Sequence, residues 1–296
     1  MMPKPLKGKP PFRGFVASAL SLGLAGCLVI PARAQDHGKL LAFDVDNHLT
    51  LAIGKFEPGH GWVQSADFYA PPQPGDRFTL YTPAGKIATV TIQDNRSPVQ
   101  DSVFASWSAQ VSGWNSRSNP YALAVAGSDP LAAEPLGPIS PDNPESRAIV
   151  SQYLKTQGLH VDQPLLTQAY TIAREGRRQD AVLLIAHSDA SALSTEQEAA
   201  VYAVALLRWN DHGKEAILPL ASQTSFKPAG RTREEQEHLY GTRDFLRLVA
   251  VVDIDGDGWK EIVLYDAKDD ATQINVFSFN GRRLRKALSV YKPNYN

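Results

Sequence analysis

Between Phe245 and Asp266 the chain reads FLRLVAVVDIDGDGWKEIVLYD, and this stretch narrows the available folds more than any other. Two apolar, β-branched runs, LVAVV and IVLY, flank a polar loop, and such runs favour strand. In the loop, Asp253, Asp255, Asp257 and Glu261 place four carboxylates within nine residues, with Gly256 and Gly258 between them. Carboxylates at alternate positions of a tight loop form an oxygen cage for a hard cation, most often Ca2+. The glycines suit a loop that needs positive φ and inward-turned carbonyls. Without a cation the four acids repel one another, which raises their pKa values or opens the loop. A solvated Asp- and Gly-rich turn is the competing reading. The coincidence of alternate acids with the two glycines favours the cation. The expected affinity is of extracellular type, on the order of 0.1–1 mM.

Counted from Asp253, the acids stand at positions 1, 3, 5 and 9, with glycine at position 6. An EF-hand loop begins this way, but it needs a bidentate glutamate at position 12 and flanking helices. Here position 12 is Leu264 and the flanks are strands. The string DIDGDGWKEIVL instead resembles the calcium loop of FG-GAP and VCBS-type repeats, found in integrin α propellers and in bacterial envelope proteins. That resemblance covers about twenty residues. It implies calcium held between two strands of a blade by the side chains of Asp253, Asp255, Asp257 and Glu261, with the Trp259 carbonyl as a further ligand.

A degenerate copy precedes it. Tyr170 to His187 reads YTIAREGRRQDAVLLIAH, and setting Asp180 against Glu261, an offset of 81 residues, aligns DAVLL with EIVLY. A further strand pair follows each copy, the second through Asn280-Gly281, a hairpin signal. Two four-stranded, propeller-blade-like units are therefore expected. Two cannot close a propeller, which needs about 4–8 blades, so the units must pack on each other or on the N-terminal half. Residues 195–209 are ambiguous: Thr195 and Glu198 could open a helix, whereas the repeat alignment favours strand from Val201.

Residues 35–127 read as short strands and turns, with a hairpin at Thr82-Pro83-Ala84-Gly85, and suggest a small antiparallel sandwich or barrel. Residues 128–144 carry five prolines and read as a stiff linker. Residues 145–296 hold a helix and the two blade-like units. The helix starts at Pro144 after Asn143, stops at Gly158, and presents Ile149, Tyr153 and Leu154 to a sheet. The fold class is mainly β with a few short helices.

Residues 1–34 read as a bacterial export signal: a basic start (Lys4, Lys7, Lys9, Arg13), then an apolar run too short for a stable membrane span. Ala32-Arg33-Ala34 fits cleavage after Ala34. Leu24-Ala25-Gly26-Cys27 resembles a lipobox, which would lipidate Cys27 and anchor the protein to a membrane. The first site is preferred, because an apolar run and not a polar tether follows Cys27. The mature chain would be periplasmic or extracellular, with no transmembrane segment. Cleavage there removes five of the 30 basic residues and none of the 31 acidic ones, leaving a net charge near −6. Such a chain has no electrostatic reason to bind nucleic acid. With Cys27 gone it has no disulfide.

Motifs of catalysis are missing. The seven histidines lack zinc-ligand spacing, and no G-x-S-x-G, P-loop or G-x-G-x-x-G occurs. The leading reading is a non-enzymatic, calcium-binding envelope protein with a structural or binding role, its partner another envelope protein or a glycan. The second is a carbohydrate- or peptidoglycan-binding module using Trp62, Trp107 or Trp114, although tryptophan in a small β domain is more often core. The third is a hydrolase with a dispersed carboxylate pair.

Overall fold

The computed structural model describes residues 39–44, 49–64, 74–92, 106–110, 121–126, 131, 135–173, 181–188, 198–211, 214–227, 229–230, 245–267, 271–280 and 283–293. The chain is mainly β, as expected. The described residues between 39 and 293 belong to one compact unit. No helix among the described residues is long and apolar enough to cross a membrane.

The N-terminal sheet contains β1 (Lys39–Asp44), β2 (Leu49–Glu57), β3 (Gly61–Gln64), β4 (Arg77–Thr82), β5 (Gly85–Ile92), β6 (Ser106–Gln110) and β7 (Tyr121–Ala126). Their order is β1-β7-β4-β5-β6-β2-β3, and β1 also pairs with β2. The joints at β6 are two residue pairs to β5 and three to β2. The sheet therefore curls round without closing into a continuous barrel. The β4–β5 hairpin turns at Pro83-Ala84, with Thr82 opposite Gly85.

Part of the proline-rich segment enters the fold. β8 (Gly137–Pro138) pairs along the edge of β9 (Leu165–Ile172). The intervening helix, α1 (Pro144–Thr156), begins and ends where its capping residues place it. Asn143 Oδ1 accepts the Ser146 N–H at 2.8 Å. At the other end, Gly158 turns with φ +82° and the Leu159 N–H closes on the Leu154 carbonyl at 3.0 Å.

β9, β10 (Ala181–His187), β11 (Ala199–Asp211) and β12 (Lys214–Lys227) follow one another as an antiparallel meander, as do β13 (Phe245–Val252), β14 (Glu261–Ala267), β15 (Ala271–Phe279) and β16 (Leu284–Pro293). Residues 199–211 are strand, as the repeat alignment favoured. The two four-stranded units exist, and β8 makes the first a five-stranded sheet.

Continuous apolar runs mark strands covered on both faces, and the packing bears this out. Along β10, Leu183 and Ile185 face the C-terminal meander, where they meet Leu248, Ile262 and Leu264. Leu184 and Ala186 face the other way, onto Ile149, Val150 and Leu154 of α1. Along β14, Val263 turns from that shared core to a second one with Ile53, Tyr81 and Leu123 of the N-terminal sheet. The order of layers is helix, middle sheet, C-terminal sheet, N-terminal sheet. Each fully buried leucine contributes about 1.5–3 kcal/mol.

β13 lies at an edge of its sheet. Two of its N–H groups are taken by side chains of the middle sheet: Leu248 donates to Gln168 Oε1 at 2.9 Å, and Leu246 to His187 Nε2 at 3.2 Å. Both bonds join the meanders across their interface.

Candidate metal centre

The loop from Asp253 to Lys260 leaves β13 after Val252 and enters β14 at Glu261, which is paired with Val252. Its course is set by Asx-type turns. Asp253 accepts from the Gly256 N–H through Oδ1 (2.8 Å) and from the Gly258 N–H through Oδ2 (3.0 Å). Asp255 Oδ1 accepts from Asp257 N–H at 3.2 Å, and Asp257 Oδ1 from Trp259 N–H at 2.7 Å. Gly256 and Gly258 take φ of +75° and +82°, a region that disfavours side chains.

Glu261 is the innermost acid, with no exposed surface. Its Oε2 accepts the Ile254 N–H at 2.8 Å, while its Oε1 is buried with no hydrogen-bond partner among the described residues. A buried polar atom left in this state is rare and calls for a physical reason. Asp253, Asp255 and Glu261 each bring a carboxylate oxygen to within 4.8 Å of the others. The Asp257 carboxylate is outside this group.

Burial pushes the Glu261 carboxyl from 4.5 up to about 8, and the charges of Asp255, Asp253 and Asp257 add to the rise. Burial also raises Asp253, opposed by the N–H groups of Gly258 and Gly256, and raises Asp255. Each ionised pair at this spacing repels by about 3 kcal/mol at an effective dielectric of about 20. The group has hard oxygen donors and excess negative charge. That suits it to a cation and gives it no nucleophile.

Trp259 ties the loop to the core. Its ring meets Trp209 of β11 edge-on (5.1 Å between centroids, 67°) and Phe279 of β15 (5.4 Å, 81°). Trp209 and Phe279 meet each other at 5.0 Å and 73°. The trio caps the core shared by the two meanders. Trp209 is fifty residues from Trp259, and its only sequence signal is an aromatic at the end of an apolar strand.

The degenerate copy needs a one-residue correction. Ala181 is paired with Ile172 as Glu261 is with Val252, and eight residues separate the members of each pair in the sequence. The structural offset is 80, not 81. In the sequence Gly176 then matches Gly256, and Ala173, Glu175 and Arg177 match Asp253, Asp255 and Asp257. Ala181, buried like its counterpart, replaces Glu261. Of the four acids only the second has an acidic counterpart. Asp180, on which the sequence alignment was set, lies outside the described residues.

Trp62 is partly buried and packs on Phe56 at 5.1 Å and 58°. The Trp107 side chain, Trp114, Cys27 and Ala34 lie outside the described residues. Compared with known families, curated proteins and solved structures, the chain matches none.

Proposed function

We propose that this chain is a calcium-binding β protein of the bacterial envelope with a structural or binding role and no catalytic activity. The observation that carries this reading is the orphaned Glu261 Oε1, buried beside the carboxylates of Asp253 and Asp255. A divalent cation would satisfy that oxygen and offset the repulsion of the three acids. Asp253, Asp255 and Glu261 would hold the ion. Asp257 and the Trp259 carbonyl join the set as the resemblance to FG-GAP and VCBS-type loops implies. The ion would supply a bridge between the loop and the first residue of β14. Because Trp259 packs on Trp209 and Phe279, an ordered loop would also hold the two meanders together. The signal-like residues 1–34 support export to the periplasm or cell exterior, and the expected partner is an envelope protein or a glycan.

The deciding measurement is the melting temperature in millimolar calcium and in excess chelator. A ligand bound only by the folded state stabilises by RT ln(1 + [L]/Kd). A tenfold excess over Kd is then worth about 1.4 kcal/mol, a rise of a few degrees. Identical melting in calcium and chelator would overturn the reading.

A further inference from the structure

We infer that the cleft between the start of α1 and the middle sheet binds a small uncharged polyhydroxylated molecule, a sugar or related polyol. Its volume is about 410 Å3, within the usual range of small-molecule sites. Regular elements build its walls, which favours a preformed site. The N-cap Asn143 and Ser146 of α1 form one side, β9 contributes Thr171, β10 contributes Val182, and β11 contributes Arg208 and Asn210.

Charge selects the ligand class. The Arg208 guanidinium is held by Glu145 Oε1 at 2.5 Å and by Glu215 Oε2 at 3.1 Å. An anion would have to displace a carboxylate to reach Arg208, and the trio already carries one net negative charge. Phosphate and carboxylate ligands are therefore disfavoured. Both glutamates are largely exposed, 66% and 43%, so water and salt screen the excess charge and it makes a poor cation trap.

What remains is directional and neutral. Each asparagine amide pairs two donors with an acceptor, and each hydroxyl can donate and accept. Such groups match vicinal hydroxyls, which also do both. Asn143 Oδ1 and the Thr171 proton are engaged, by the Ser146 N–H and the Gly137 carbonyl. The Asn143 amide hydrogens and the Thr171 oxygen can still meet a ligand. Ile139 and Val182 supply an apolar wall for the C–H face of a ring. Among the described residues no histidine, lysine or cysteine lines the cleft, so these residues offer binding and no evident proton transfer or nucleophile. The site does not depend on the calcium reading.

The test is saturation-transfer NMR on the full chain with glucose, N-acetylglucosamine, glucuronate and glucosamine. Transfer is expected from a neutral sugar, with glucuronate about tenfold weaker or more. Val182→Trp, which fills the cleft, should abolish transfer. Asn210→Ala, at an exposed position, should weaken binding by about fivefold, as loss of one neutral hydrogen bond does. No transfer from either neutral sugar at about 10 mM, far above useful affinity, would overturn the proposal. So would equal binding of glucuronate, or unchanged binding in a folded Val182→Trp variant. Should that variant fail to fold, unchanged binding by Asn210→Ala overturns it instead.

Discussion

Replacing Glu261 with glutamine should change stability in opposite directions with and without calcium. In chelator, a carboxyl raised from 4.5 to about 8 is mostly protonated in folded molecules at pH 7 and ionised in the unfolded chain. Taking up that proton on folding costs about 1.4 kcal/mol for each pH unit above 4.5, or about 3 kcal/mol at pH 7. Glutamine avoids that cost, and its carbonyl can still accept the Ile254 N–H. It also sets a neutral amide in place of the third carboxyl beside Asp253 and Asp255. The chelated variant should therefore melt several degrees above chelated wild type. The linkage has a definite sign. This acid is raised on folding, so the wild-type protein in chelator is favoured below pH 4.5 and loses stability as pH rises toward 8, whereas the variant lacks that slope. In millimolar calcium the order reverses, because glutamine removes a charged ligand from the ion. Thermal unfolding followed by circular dichroism at two or three pH values reads both effects. A variant less stable than wild type in chelator as well would refute the account of Glu261 as a costly carboxylate awaiting a cation.

Asp255→Ala should leave melting in chelator unchanged or slightly raised, since it removes one of three mutually repelling acids, and should lower it in millimolar calcium; equal melting of variant and wild type in calcium would count against the site. His187, whose pKa burial lowers with help from the Arg247 charge, must stay neutral to accept the Leu246 N–H. Stability should fall as pH drops below about 6.5, and His187→Gln should flatten that part of a pH–stability curve measured by urea unfolding. Gly54→Ala would set a Cβ 2.6 Å from the Val63 carbonyl oxygen and 2.7 Å from Leu288. Overpacking of this kind costs about 1–3 kcal/mol, read as a lower urea midpoint with an unchanged slope.

Much of the architecture was legible because local chemistry and tertiary demand agree. Asn143, Pro144 and Gly158 bound a helix on their own, and α1 runs from Pro144 to Thr156. The apolar runs LVAVV and IVLY could be strands buried on both faces, and they are. The identity of the covering layers was not legible, because a two-faced apolar strand does not specify which sheet lies above it. The order of helix and three sheets depends on contacts distant in sequence. β3 has no signal of its own, since GWVQ is too short to show a period. The repeat offset differs by one because DAVLL and EIVLY match by composition, whereas the register of Ile172 with Ala181 depends on the length of the connection. At the candidate metal centre, carboxylate spacing pointed to Asp253, Asp255 and Glu261. Only burial separates Glu261, with its orphaned oxygen, from the exposed Asp257. The Trp209 contact had no sequence signal beyond an aromatic at a strand end.

The two side-chain bonds along β13 also bear on the order of assembly. Gln168 and His187 belong to the meander that leaves the ribosome first, and the N–H groups that they receive, of Leu248 and Leu246 respectively, lie 80 and 59 residues later. A nascent chain therefore has acceptors in place before the strand that needs them appears. An unpaired strand edge is a template for joining other molecules. Here that edge meets its own protein's acceptors as it emerges, which shortens the time during which neighbouring copies can capture it.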